Sequence, residues 1–98
     1  MKCGLALRVD DLDNVATVFA DGVRAGMTIE VRDKKGNTDQ IIVRADIPYG
    51  HKIAVSDIAK GSRIVKYGES IGEAECSILR GDYVHVHNIK ALRGRGDL

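Results

Sequence analysis

The chain has 98 residues, 15 Lys and Arg against 14 Asp and Glu, three Tyr, one Phe and no Trp. That balance lacks the basic stripe that nucleic-acid binding needs and gives no strong electrostatic membrane contact. No apolar run approaches the roughly 20 residues needed to span a bilayer. One domain of this size buries only about 60–65% of its unfolded surface, so its core is thin and a shallow site or a partner surface is expected.

In chain order, "CGLALRV" (3–9) alternates with period two, placing Cys3, Leu5, Leu7 and Val9 on one face. The opening "MKCGLALRVDD" is too short for a secretory signal. With no CxxC, Cys3 and Cys76 are expected to be reduced thiols in a cytoplasmic protein. "NVATVFA" (14–20) reads as a second strand. "MTIEVRD" (27–33), the turn "KKGN" (34–37) and "DQIIVRA" (39–45) predict a hairpin. Beyond it, Gly50, Gly61, Gly68, Gly72 and Gly81 cut the chain into short strands, with "SDIAK" (56–60) able to form one helical turn. No segment sustains a helical apolar stripe, so a mainly β fold with many tight turns is predicted. The tail "IKALRGRGDL" (89–98) has no apolar face and is expected to be mobile or ordered by a partner.

Two stretches carry chemistry. In "DYVHVHN" (82–88), a continuous strand puts Val84 and Val86 on the core face and Tyr83, His85 and His87 on the other. Same-face neighbours about 6.5–7 Å apart can share a metal, bind an anion or divide acid–base work. The spacing is equally that of a solvated pair. In "YGHK" (49–52), Gly50 permits a tight corner that presents His51, a proton donor or acceptor, and Lys52, a carboxylate holder; an ordinary polar loop reads the same way. "KYGESIG" (66–72) reads as a turn between strands, and "DLDN" (11–14) as a solvated turn or a hard-cation site. Cys76 alternates with Ala74 and Ile78 and reads as core, and "RGD" (95–97) as coincidence.

"DNVA", "PYGHKIAVSDIAKGSRIVKYGESIGEA" and "LRGDYVHVHN", in this order over roughly residues 11–89, closely resemble the N-terminal SAF-type domain of the altronate and galactarate dehydratase family. "HVHN" resembles the altronate branch, since the galactarate branch departs there. The tail "RGRGDL" is similar to that of small subunits, including those of the related sulfolactate sulfo-lyase. The resemblance implies a compact β-clip, SAF-like domain over 1–89, with at most one or two short helical turns, followed by a basic tail over 90–98.

The resemblance also implies a hydro-lyase dehydrating a sugar acid such as altronate. This chain would be its small subunit, inactive alone, partnered by a large catalytic polypeptide or itself a piece of one, and compatible with an oligomer. The alternatives are a sulfolactate sulfo-lyase small subunit and a non-catalytic sugar-acid-binding module. A divalent metal, iron(II), is implied for the assembled enzyme. On the matched residues, His51 and His87 are the candidate catalytic groups. Lys52 is assigned to a substrate carboxylate, with His85 and Asn88 as further substrate contacts. His51, His85 and His87 are the candidate metal ligands. The departure of the galactarate branch at "HVHN" leaves substrate selection as the other role for His85 and His87.

Overall fold

A computed structural model describes residues 2–91. Among the described residues nine strands form: β1 Lys2–Arg8, β2 Val15–Val18, β3 Thr28–Asp33, β4 Thr38–Ile42, β5 Lys52–Ala54, β6 Arg63–Lys66, β7 Glu69–Ala74, β8 Tyr83–Val84 and β9 Ile89–Ala91. They make a six-stranded sheet in the order β4-β3-β1-β2-β5-β8 and a three-stranded sheet in the order β6-β7-β9. Among the described residues only the β1–β3 pairing is parallel. The mainly β expectation holds, and no helix is present among the described residues.

The predicted hairpin is β3–β4, with Ile29 opposite Ile41 and both buried. Asp33 closes its turn, its Oδ1 accepting from the N–H groups of Lys35 and Asn37 at 2.9 Å each. "KYGESIG" is the β6–β7 hairpin. Tyr67 and Gly68 both take positive φ, 56° and 76°, as a two-residue turn of the twist-matched type requires. "DLDN" is a clasp between the sheets. The Asp13 carboxylate accepts from the N–H groups of Asp10 and Gly68, and Asn14 holds β6 through Val65 N–H and Arg63 C=O. Hence its buried acid is committed to backbone donors.

One local device recurs four times among the described residues. An apolar bridge residue is followed three positions later by a glycine with positive φ, which leads into a strand: Val23/Gly26, Ile47/Gly50, Ile58/Gly61 and Ile78/Gly81. In each, the residue after glycine donates its N–H to the carbonyl three residues back, as for His51 to Pro48 and Asp82 to Leu79. Glycine third in such a turn relieves the left-handed strain that a side chain would impose. The bridge residues pair Val23 with Ile47 and Ile58 with Ile78. The first pair lies in the core of the large sheet, with Ile29, Ile41 and Ile53. The second lies in a separate core with Val15, Ile64, Val84 and Ile89.

Three expectations are corrected. "SDIAK" is no helical turn, because Ile58 is pulled into the bridge to Ile78. Cys76 is an exposed free thiol, because β7 ends at Ala74 and the chain bends away. The strand at 82–88 stops after Val84, so Val86 is 71% exposed while Val84 is 0%. After the turn at 85–88 the chain returns as β9, which pairs with β7. Residues 92–98, and with them "RGD", lie outside the described residues.

Candidate functional site

Two of the four glycine turns build the site. The second delivers His51 and Lys52 into β5, and the fourth delivers Asp82 and Tyr83 into β8. These strands pair antiparallel, Ile53 opposite Tyr83 and Lys52 opposite Val84. The two stretches singled out in the sequence therefore adjoin.

The chain then turns at 85–88, and Asn88 makes the turn. Its Oδ1 accepts from His85 N–H at 3.0 Å, and its Nδ2 donates to Tyr83 C=O at 2.9 Å. The backbone N–H groups of Asn88 and Ile89 both reach His85 C=O. An Asn that captures nearby backbone groups competes with the strand ladder, which is why β8 is short. Asn88 is 6% exposed, its carboxamide engaged with the backbone of the imidazole-bearing segment.

The imidazoles gather around one phenol. His51 Nδ1 lies 2.6 Å from the Tyr83 hydroxyl. The His51 and His85 rings are 4.6 Å apart between centroids. Tyr83 stacks on His85 at 5.6 Å and 9°, and its ring is 5.2 Å from His87. His51, Tyr83 and His85 are half-buried and His87 is exposed. Tyr83 had no role in the sequence reading, although its period-two spacing with His85 and His87 in "YVHVH" was the available signal.

Lys52 stands differently. Strand alternation puts it on the Val84 side of the ribbon, opposite the Tyr83 side. It is half-buried and makes no ion pair among the described residues. Burial lowers its pKa below the ordinary 10.5, and Lys66 adds to the effect. Its charge still reaches His85. That imidazole is held below the ordinary 6.5 first by loss of hydration, then by His51, Lys52 and His87. The neighbourhood is thus cationic in tendency.

Two open hollows of about 280 Å³ each flank Tyr83. One is lined by Arg24, Asp46 and Pro48 among others, the other by Cys76, Ser77, Asp82, His87 and Asn88. Both fall at or below the lower end of ligand-pocket volumes, about 300–1,000 Å³. A third, of about 310 Å³, lies between Arg8, Asp33, Asp39 and Arg80. Its charged groups are already engaged: Arg80 with Asp39, Arg8 with Asp13 C=O, Asp33 with Asn37. We read it as a structural seam.

The residues do not fit a resident metal. Among the described residues no group of three or more His, Cys, Asp or Glu is arranged to hold one. The Tyr83 hydroxyl occupies Nδ1 of His51. Asp82, which shares a hollow with His87, is tied to Arg44 and Leu79 N–H. The candidate set His51, His85 and His87 therefore does not converge on one ion, and Asp82 is already engaged elsewhere.

The described residues form a small two-sheet β domain with an imidazole-rich open face. Residues 5–92 match the altronate/galactarate dehydratase SAF domain, and the chain belongs to that family. It is 41% identical over 83 residues to the (2R)-sulfolactate sulfo-lyase subunit alpha of Chromohalobacter salexigens, covering 83% of this chain and 87% of the relative. It is 38% identical over 84 residues to the altronate dehydratase of Escherichia coli, covering 86% of this chain but 16% of that enzyme. The galactarate dehydratase (L-threo-forming) of Escherichia coli is 37% identical over 79 residues, with 80% of this chain and 14% of the enzyme covered. The relatives are lyases by name. Among the described residues, no helix is long and apolar enough to cross a membrane.

Proposed function

We propose that this chain is the SAF-domain component of a cytoplasmic lyase acting on a hydroxylated carboxylic acid, a sugar acid such as altronate. A larger catalytic polypeptide completes the site. The observation that carries this reading is the cluster of His51, His85 and His87 around Tyr83, cationic in tendency and open on one side. Elimination from such an acid removes a weakly acidic proton beside a carboxylate. It needs a positioned base, donors for the developing enediolate charge and an acid for the departing group. Imidazoles supply both donors and acceptors, and a cationic neighbourhood favours the carboxylate. His51 and His87 are the acid–base candidates. His85, pushed toward its neutral form, suits a hydrogen-bonding contact with substrate. Asn88 acts by holding the turn that carries His85 and His87. A divalent metal such as iron(II) belongs, on this reading, to the larger polypeptide.

Sulfite elimination is the second reading. It is favoured by the match to a sulfo-lyase alpha subunit over 87% of that relative's length. The chemistry asked of this chain is the same, with a sulfonate in place of a β-hydroxyl. The test is reconstitution of purified chain with its large partner on altronate, galactarate and sulfolactate. Dehydration or sulfite release should require both chains and fall at least tenfold in His51→Gln and His87→Gln. Full activity in both variants would remove the site assignment. Tight binding of a sugar acid by this chain alone, with no turnover in the mixture, would make it a binding module instead.

A further inference from the structure

Within the cluster, Tyr83 is the group that touches all three imidazoles. Its position is fixed from several sides. Its backbone pairs with Ile53 in the sheet, its carbonyl accepts from Asn88 Nδ2, and its ring packs against the core of the large sheet. The hydroxyl, 2.6 Å from His51 Nδ1, is therefore a rigid point toward which the imidazole is oriented. A phenol donates readily, whereas the bare nitrogen of a neutral imidazole is a strong acceptor. Facing neutral His51, the Tyr83 hydroxyl therefore donates and Nδ1 accepts. A neutral imidazole carries one ring hydrogen, which is then on Nε2. Nε2 lies on the far side of the ring from Tyr83 and makes no hydrogen bond among the described residues.

We propose that Tyr83 is a positioning residue that holds neutral His51 as its Nε2–H tautomer, so that His51 presents a hydrogen-bond donor, not a base, to a carboxylate or hydroxyl oxygen of the ligand. The proposal rests on the reading of this cluster as the ligand-facing site. It divides the labour within it. His51 steadies an oxygen that carries or gains negative charge. Proton abstraction falls to a group outside this hydrogen bond, either the exposed His87 or a residue of the larger polypeptide.

The test is imidazole nitrogen NMR on the ¹⁵N-labelled full chain, above the pH at which the histidines titrate, with His51→Gln assigning the His51 signals. The expected spectrum shows His51 protonated at Nε2 and an Nδ1 resonance displaced upfield by an accepted hydrogen bond. Tyr83→Phe, which keeps the ring, removes the accepted hydrogen bond, so a measurable Nδ1–H fraction should emerge and Nε2 should move downfield as it shares its proton. Free imidazole already leans toward Nε2–H, so the Nε2 displacement between wild type and variant is the deciding readout. A His51 protonated at Nδ1 in the wild-type chain overturns the proposal without any variant, as does an Nε2 resonance that Tyr83→Phe leaves unmoved. Reconstituted turnover reports on the lyase reading separately, since the tautomer is measured with no substrate or partner present.

Discussion

Replacing Asn88 with Ala decides whether this residue holds the turn or holds the ligand. The side chain is 6% exposed and makes two hydrogen bonds, from His85 N–H at 3.0 Å and to Tyr83 C=O at 2.9 Å. Each is worth about 0.5–1.5 kcal/mol net, and a backbone group left unpaired costs about 1–3 kcal/mol more where water cannot reach it. Val86 and His87 are exposed beside it, so water compensates in part, and the sum is about 2–3 kcal/mol. For a domain of this size that lowers the melting temperature by roughly 10–20 °C. Thermal and urea unfolding followed by circular dichroism measures it, while the His85 and His87 ring signals report whether the turn has loosened. Asn88→Asp keeps the acceptor for His85 N–H and loses the donor to Tyr83 C=O, so it should fall between Ala and wild type above the carboxyl's titration. If Asn88→Ala melts like wild type yet no longer supports turnover with the partner, the clamp argument is wrong and Asn88 is a ligand contact.

The glycine turns predict a contrast. Gly26 and Gly81 have φ of 92° and 95°, so alanine at either costs about 1–2 kcal/mol in strain. At Gly26 the new Cβ meets open space, whereas at Gly81 it collides with the Ile42 carbonyl oxygen and crowds Arg44. Urea unfolding should therefore find Gly81→Ala worse by at least about 1 kcal/mol; equal losses would refute the close approach. Val84→Ala should cost about 2 kcal/mol through the cavity it leaves, while Val86→Ser stays within about 0.5 kcal/mol; equal costs would restore the continuous strand. His85 should titrate below 6.5 by NMR, and Lys52→Met should raise its pKa by removing a nearby positive charge. The sign follows from proton counting. Between its folded and unfolded pKa values the unfolded chain binds more protons, so this contribution is complete above about 6.5 and is lost as pH falls toward the folded value.

The β3–β4 hairpin was legible because "MTIEVRD" alternates and "KKGN" supplies its turn. The union of the "GHK" and "HVHN" stretches was legible through the family pattern, while the reason for it was not. That reason is the repeated spacing of an Ile or Val three residues before a glycine, at Ile47/Gly50 and Ile78/Gly81. It shows as a weak regularity in sequence and becomes decisive only when the bridges form. "DYVHVHN" misled because period two is a local signal, whereas the turn is imposed by Asn88, whose side chain outcompetes a sheet edge with few partners. Cys76 misled for the same reason: alternation through Ala74, Cys76 and Ile78 assumes a strand that ends at Ala74. Tyr83 was overlooked because a tyrosine beside two histidines announces a face, and its hydrogen bond to His51 exists only once β5 lies against β8.

The electrostatics of the cluster separate its two chemical readings without any assay of turnover. His51, His85 and His87 sit close enough for His85 to feel both neighbours and Lys52, and each of these interactions disfavours its protonated form. The fold thus disfavours the charged form of His85, and a negative group that enters relieves that opposition. By linkage, whatever an anion gains from imidazolium is returned as a raised imidazole pKa. An anionic ligand must therefore bind more tightly as pH falls through the imidazole range. A metal ligated by the same nitrogens has the opposite sign, because it competes with protons for them and tightens as pH rises. Carboxylate affinity measured by calorimetry across that range, with His85 followed in parallel, gives the sign directly. Rising affinity with falling pH, together with an upward shift of the His85 titration, is the outcome this geometry requires. Affinity that grows with pH would mean the cluster gathers imidazoles for a cation and that the anionic reading of this face is mistaken.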